Sequence, residues 1–240
     1  MATGFYVGSA LSAREYARRG GDAEAMWNLL VFTFVGGLVS SKLLSVADDP
    51  RAFLANPVGS LISGSGFVWY GGLLGGALVA WLIARRKRMD FGDILESTAI
   101  GIPFGHAIGR LGCHMAGDGD WGTVTNLPWG VAYKNAFIGW NYPEGVRVHP
   151  TPIYEAIAYT AIGLLVFGLR KRDLPKGTLF AIYLVLSSLA RFLVEFIRIE
   201  PVVAFGLTQA QWVAIALFAC GAAWLMRKLP TMAIKEAHSR

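Results

Sequence analysis

Long apolar runs alternate with short polar stretches along almost the whole chain. Runs long enough for a helix to cross a hydrocarbon core of roughly 30 Å are 26–46, 67–84, 94–113, 153–169, 178–196 and 207–226. A further apolar segment, 1–12, is shorter. The pattern predicts an all-α, polytopic membrane bundle that forms a single transmembrane domain over 1–240, with a polar loop at about 114–150.

Basic clusters close three of these segments, at Arg85–Arg88, Arg170–Arg172 and Arg227–Lys228. Loops rich in lysine and arginine stay on the cytoplasmic side of a membrane. With all three clusters in the cytoplasm, the segments alternate without conflict and the 114–150 loop lies outside. The charge pattern therefore predicts about seven membrane segments, with the N-terminus outside and the C-terminus in the cytoplasm.

The composition agrees with a membrane protein, because 54% of residues are hydrophobic, 16% are charged and the mean hydropathy is +0.46. The formal net charge of +6 is explained by basic cytoplasmic loops, so we expect no nucleic-acid partner. The two cysteines, Cys113 and Cys220, are far apart in sequence, which argues against a disulfide framework and against metal-ligand spacing. The N-terminal residues lack the pattern of a cleavable signal peptide.

The first segment is the weakest part of the predicted topology. Residues 1–12 reach only about 18 Å as a helix, and an extension to Ala17 reaches about 26 Å, against a core of roughly 30 Å. One interpretation is that the native protein begins upstream, with an extension of on the order of ten apolar residues. The other is that Met1 is the true start and the segment is a short helix lodged among its neighbours.

Ionisable residues gather near the outer ends of the predicted helices. Arg110, Glu155, Arg191, Glu195, Arg198, Lys42 and Tyr70 all fall at this depth. Spacings of four and three place Arg191, Glu195 and Arg198 on one helical stripe. Charges inside a membrane usually face a cavity or each other, so the group predicts either a functional cavity or an ion-pair network that locks the helices. Arginine forks suit phosphate oxygens, which favours an anionic phospholipid as the ligand.

Several other features of the 104–122 stretch and its surroundings have a structural explanation. His106 lies one turn before Arg110, and its side chain either lines the cavity or packs against neighbouring helices. No metal site is predicted, because the spacing of Cys113, His114, Asp118 and Asp120 does not follow a zinc pattern. Pro103 predicts a kink. The glycines at 105, 109 and 112 leave room for another backbone or a ligand head group, and Gly71-Gly72 and Gly75-Gly76 have a helix-contact spacing.

Five short motifs follow one another along the chain: Gly109-Arg-Leu-Gly112, Gly117, Trp121-Gly122, His149-Pro-Thr-Pro-Ile-Tyr-Glu155 and Arg191-Phe-Leu-Val-Glu-Phe-Ile-Arg198. Over about residues 26–226 the chain resembles the phosphatidylglycerol–prolipoprotein diacylglyceryl transferases of bacterial inner membranes. The resemblance implies transfer of the diacylglyceryl group of phosphatidylglycerol to the lipobox cysteine of a prolipoprotein, with release of glycerol phosphate. It also implies seven membrane helices, no soluble cofactor, and substrates that are membrane lipids and prolipoprotein signal peptides.

The site residues that the resemblance and the depth argument implicate fall into two groups. The catalytic group is Arg110, Arg191, Glu155, Glu195 and Tyr70, in which the arginines bind phosphate and the glutamates orient them or the substrate. The substrate-binding group is Arg110, Asp118, Gly122, His149, Arg198 and Lys42. We expect a monomer in the bacterial cytoplasmic (inner) membrane.

The chain departs from the family pattern at four points, one of which is that the Tyr-Gly motif of the family's first helix has no clear counterpart. Tyr70 stands where the family often has a histidine before Gly-Gly, and a neutral phenol is a poor base at pH 7. Cys113 replaces the usual asparagine after Arg-x-Gly, and the loop is one residue longer before Trp121. The alternatives are therefore a lipid-handling homologue with a different substrate, or a non-catalytic membrane transporter or scaffold, although a transporter would favour inverted repeats.

Overall fold

The computed structural model describes residues 2–62 and 68–238, so the predicted start of one segment at Phe67 lies outside the described residues. The helices are α1 (Ala2–Arg18), α2 (Ala23–Asp48), α3 (Pro50–Ala55), α4 (Pro57–Ile62), α5 (Trp69–Arg86), α6 (Phe91–Ala116), α7 (Thr151–Leu169), α8 (Thr178–Val194) and α9 (Gln209–His238). A 3₁₀ turn, Glu195–Ile197, continues α8, and the strands β1 (Val202–Ala204) and β2 (Leu207–Thr208) precede α9. The chain is thus mostly helical, as predicted, with a small antiparallel ribbon that was not predicted.

Four helical stretches within the described residues are long and apolar enough to cross a membrane. They are Ala23–Asp48, Thr151–Leu169, Thr178–Ile197 and Gln209–Lys228. Each matches a predicted segment to within about three residues at either end.

The contacts divide the chain into two compact units, Met1–Glu15 with Leu95–Arg240, and Tyr16–Ile94. In the second unit, α2 and α5 pack along small residues: a Cβ on Gly71 would lie 2.7 Å from the Ser40 carbonyl oxygen. The predicted contact role of the Gly71–Gly76 stretch is therefore confirmed. Between these helices lie α3 and α4, which begin at Pro50 and Pro57 because proline suits the first turn of a helix.

In the first unit, the start of α1 packs against α6 through facing glycines. A Cβ on Gly4 would lie 2.6 Å from the Gly105 carbonyl oxygen, and one on Gly105 would lie 2.8 Å from that of Gly4. Gly8 faces Gly101 one turn further on, at 3.0 Å. This small-residue contact lets two backbones approach closely, and it confirms that Gly105 makes room for another backbone.

The core of the first unit lies between α6, α7 and α8. It contains Ile100, Tyr159, Val166 and Leu179, all buried. Helix α6 continues through Pro103 to Ala116. These three helices fix the positions from which the charged side chains project.

Candidate active site

The converging charges form one ion-pair cluster, which comprises Arg110, Asp120, Glu155, Arg191, Glu195 and Arg198. Glu155, near the start of α7, pairs with Arg110 of α6 and accepts a hydrogen bond of 2.8 Å from Nη1 of Arg191 on α8. Its side chain is only 2% exposed. The two arginines are therefore held from opposite sides by one buried carboxylate, and the predicted convergence of these helices is confirmed.

The end of α8 and the 3₁₀ turn that follows it supply the other half of the cluster. Nη2 of Arg191 lies 2.9 Å from Oε2 of Glu195, one turn later, and Nε of Arg198 lies 3.5 Å from the same oxygen. The predicted stripe at spacings of four and three is thus observed as ion pairs. Three arginines face three carboxylates in the cluster, so each of these buried charges has an opposite charge beside it.

Asp120 belongs to the cluster, although the sequence reasoning named Asp118 instead. The Asp120 carboxylate pairs with Arg110, and its Oδ1 lies 2.6 Å from Nη2 of Arg198. Its backbone oxygen accepts hydrogen bonds from the Thr151 hydroxyl and from Nη1 of Arg198 at 3.2 Å. One loop residue thereby connects α6, the start of α7 and the end of α8.

The charge state of Asp120 follows from these partners. Burial alone would raise the pKa of the Asp120 carboxyl, but the hydrogen bond and charge of Arg198, followed by those of Arg110, hold that pKa below its usual range. Asp120 is therefore ionised at neutral pH. Asp118 is exposed, accepts a 3.3 Å hydrogen bond from the Asp120 amide, and forms no ion pair with the cluster among the described residues.

Gly122 lies where three segments meet. Its amide donates to the His149 carbonyl at 2.9 Å, and the next amide, of Thr123, donates to the Ile197 carbonyl at 2.8 Å. A Cβ on Gly122 would lie 2.9 Å from Thr151 Cγ2 and closer still to the Ile197 oxygen. Only glycine lets the loop join the start of α7 to the end of α8 this tightly.

Three histidines have aromatic partners. His106 stacks on Tyr159 with ring centroids 3.9 Å apart, which agrees with a packing role. Nδ1 of His149 lies 3.2 Å from the Tyr154 hydroxyl, at the entry to α7. Nδ1 of His114 lies 2.7 Å from the hydroxyl of Tyr133 in the loop.

The two remaining predicted residues, Lys42 and Tyr70, are in the second unit. Lys42 is buried on α2, and Tyr70 is exposed near the start of α5. Their predicted roles remain predictions.

A cavity of about 470 Å³ lies between α7 and α8, beside the ion-pair cluster. Glu155 lines it, and most other lining side chains are aliphatic, such as Ile162, Leu189 and Leu193. A mostly apolar cavity that reaches a buried carboxylate suits an amphipathic ligand.

The geometry does not favour a metal ion in this site. Possible ligand atoms of Cys113, Asp118 and Asp120 lie within 4.8 Å of one another. However, Asp120 already pairs with Arg110 and Arg198, whose charges oppose a cation. The donor set therefore fits an arginine network better than a metal.

Known proteins match this chain along most of its length. The prolipoprotein diacylglyceryl transferase family matches residues 1–227. The phosphatidylglycerol–prolipoprotein diacylglyceryl transferase of Clostridium tetani is 28% identical over 84% of this chain and 79% of its own length. The proteins of the same name from Dehalococcoides mccartyi and Leptospira interrogans are each 32% identical, over 84% and 85% of this chain and 77% and 71% of their own lengths. The chain therefore belongs to the prolipoprotein diacylglyceryl transferase family.

Proposed function

We propose that this protein transfers the diacylglyceryl group of phosphatidylglycerol to the lipobox cysteine of prolipoproteins and releases glycerol phosphate. The family match over residues 1–227 carries the proposal. The buried ion-pair cluster supports it, because arginines oriented by carboxylates suit a phosphate-bearing lipid.

The reaction needs a nucleophilic sulfur and a stabilised leaving group. The cysteine thiol loses its proton, and the thiolate attacks the terminal glycerol carbon of the diacylglyceryl group. A carbon–sulfur bond forms while the bond between that carbon and the phosphate oxygen breaks. The electron pair leaves with glycerol phosphate, whose growing negative charge nearby arginines stabilise.

Arg110 and Arg191 are proposed to bind the phosphate. Their side chains are 15% and 24% exposed, whereas Glu155 is almost fully buried. The described contacts of Arg110 use Nε and Nη1, which leaves Nη2 for a ligand. Those of Arg191 use both terminal nitrogens, which leaves Nε. Each guanidinium is thus pre-oriented while keeping a donor for a phosphate oxygen.

The other site residues have proposed supporting roles. Glu155 and Glu195 orient the two arginines, and Arg198 binds through Asp120 to the loop that carries Asp118 and Gly122. His149, at the entry to α7, contacts substrate. The α7–α8 cavity accepts part of an acyl chain, since its aliphatic lining suits hydrocarbon.

We further propose the membrane arrangement that the charge pattern predicts. The protein is a single transmembrane domain and a monomer in the bacterial cytoplasmic membrane, with seven segments, the N-terminus outside and the C-terminus in the cytoplasm. The four apolar helices support a multi-pass protein, and the basic clusters at Arg85–Arg88 and Arg170–Arg172 support the orientation. Transfer requires no metal or cofactor in this mechanism.

Mass analysis of a lipobox peptide tests the proposed function. Purified protein in vesicles is incubated with phosphatidylglycerol and the peptide, beside a peptide that carries serine in place of cysteine. We expect a diacylglyceryl mass gain on the cysteine peptide alone. An unmodified cysteine peptide, with enzyme shown to be folded, would refute the proposal; a gain only with another phospholipid would favour a homologue with a different substrate.

A further inference from the structure

The connection between α8 and α9 exposes an unusual amount of apolar surface. In the β1–β2 hairpin, Val202 pairs with Thr208 and Ala204 with Leu207, so Phe205 and Gly206 form a two-residue turn. The Phe205 side chain is 92% exposed and those of Val202 and Val203 more than 60%. Edge strands of soluble proteins usually avoid such apolar side chains.

The turn also places Phe205 in a costly backbone conformation. Its φ is +52° and that of Gly206 is +75°, as a type I′ hairpin turn requires. Asparagine, aspartate or glycine normally occupies the first of these positions, and a bulky residue there is an outlier. Phenylalanine is therefore unfavourable at this position for two reasons. Its backbone conformation is sterically costly, and its ring would be exposed to water.

The base of the hairpin is fixed to the ion-pair cluster at both sides. Before β1, Arg198 pairs with Asp120. At the end of β2, the Thr208 hydroxyl donates to Oε1 of Glu195 at 2.9 Å, and the Thr208 amide donates to Gln211 Oε1 at 3.0 Å. The base is thus anchored in buried polar contacts, whereas the Phe205 ring at the tip is exposed and lies edge-on to Trp212 of α9, with ring centroids 6.0 Å apart.

The apolar surface of the hairpin continues that of the adjoining helices. Leu193 and Phe196 at the end of α8 are exposed, and Ile199 extends this surface toward Val202. On α9, Trp212 donates its indole N–H to the Ala204 carbonyl at 3.3 Å; tryptophan is enriched at membrane interfaces. Because α8 and α9 are long and apolar enough to span a membrane, lipid is the partner that fits their exposed faces.

We propose that the β1–β2 hairpin is an interfacial wedge whose tip, Phe205, inserts into the lipid at the boundary of head groups and acyl chains. This inference rests on the membrane placement proposed above. Lipid contact removes the exposure of the Phe205 ring, and the anchored base then holds Glu195 and Arg198 at head-group depth. The wedge thereby sets the level at which the ion-pair cluster meets its lipid substrate.

Site-specific fluorescence tests the insertion without relying on activity. Phe205→Cys, in a background with both native cysteines changed to serine, is labelled with an environment-sensitive dye and reconstituted in phosphatidylcholine–phosphatidylglycerol vesicles. Glu144→Cys, in the exposed 114–150 loop, is the matched control. We expect a blue-shifted emission at 205, quenched several-fold more by lipids with a nitroxide near the head group than by aqueous iodide, and the opposite preference at 144.

Two outcomes would overturn the wedge. Equal quenching by iodide at 205 and 144 would place the tip in water. An emission at 205 that shifts only after a lipobox peptide is added would make the partner a peptide. Because both readouts are spectroscopic, they remain informative even if the protein transfers no diacylglyceryl group.

Activity provides a second test for a protein that does transfer. Phe205→Asn suits the type I′ turn, so we expect its thermal stability in detergent to equal or exceed that of the wild type. We expect its KM for phosphatidylglycerol in vesicles to rise several-fold while kcat stays unchanged, and Phe205→Leu to restore KM. An unchanged KM in Phe205→Asn would contradict the wedge.

Discussion

Asp120→Asn should destabilise the protein markedly, whereas Asp118→Asn should not. Asp120 pairs with Arg110 and Arg198, and asparagine keeps the acceptor oxygen but loses the charge. A hydrogen bond to a charged group contributes about 1.5–3 kcal/mol and a neutral one about 0.5–1.5 kcal/mol. The charge therefore adds about 1–1.5 kcal/mol per bond, and its removal from both bonds lowers the free energy of unfolding by roughly 2–3 kcal/mol.

For a protein of this size, 1 kcal/mol shifts the melting temperature by about 2–4 °C. Asp120→Asn should therefore lower it by roughly 4–12 °C, measured by thermal unfolding in detergent with equal protein loading. Asp118→Asn is the matched control, since it lies two residues away in the same loop and is exposed. Its melting temperature should stay within about 2 °C of the wild type, as for most surface substitutions.

The pH dependence identifies the cause of the difference. Because the pKa of Asp120 is lowered in the folded protein, its contribution is fully present above the ordinary carboxyl pKa of about 4. It is lost as the pH falls through the lower, folded-state pKa. The difference in melting temperature between wild type and Asp120→Asn should therefore be constant near neutral pH and disappear in acid. A gap that persists in acid, or equal destabilisation by Asp118→Asn, would refute this account of the cluster.

Three further predictions concern the phosphate site, the loop junction and the topology. Arg110→Lys should express normally but lose at least about tenfold in transfer rate, since an ammonium cannot reproduce the guanidinium fork; full activity would contradict the phosphate role. Gly122→Ala should reduce stability by on the order of 2 kcal/mol, because its Cβ would collide with the Ile197 carbonyl, and an unchanged melting temperature would refute this. Lys87→Cys, in a background without the native cysteines, should react with an impermeant reagent only from the cytoplasmic side; labelling from outside would overturn the orientation.

Helical periodicity made the α6–α8 part of the site predictable. Residues three and four apart lie on one face of a helix, so Arg191, Glu195 and Arg198 follow from their spacing. Charge asymmetry in the loops then placed Arg110 and Glu155 at the same depth. Both signals are local in the sequence, and the structure confirms that these side chains meet.

The choice between Asp118 and Asp120 could not be made from helical periodicity. Both lie in Gly-Asp-Gly-Asp, where glycines at 117 and 119 adopt positive φ and free the loop from any periodicity. Which carboxylate turns back toward Arg198 depends on tertiary contacts. The position of Asp120 directly before the Trp121-Gly122 motif was the one signal that could have identified it.

Other differences arise where tertiary packing overrides a local preference. Phe205 opposes the usual turn chemistry, so the hairpin left no signal in the sequence. Helix α1 continues past the predicted end at Ser12 through Glu15, whose side chain is buried.

Double isotope labelling of phosphatidylglycerol tests the proposed reaction most directly. One isotope marks the glycerol carbons of the diacylglyceryl group and another marks the head-group glycerol. The account predicts that the first appears on the lipobox cysteine and the second in water-soluble glycerol phosphate, in equal amounts and at rates that fall together in Arg110→Lys. Head-group label on the peptide, or a peptide that gains only one acyl chain, would contradict it.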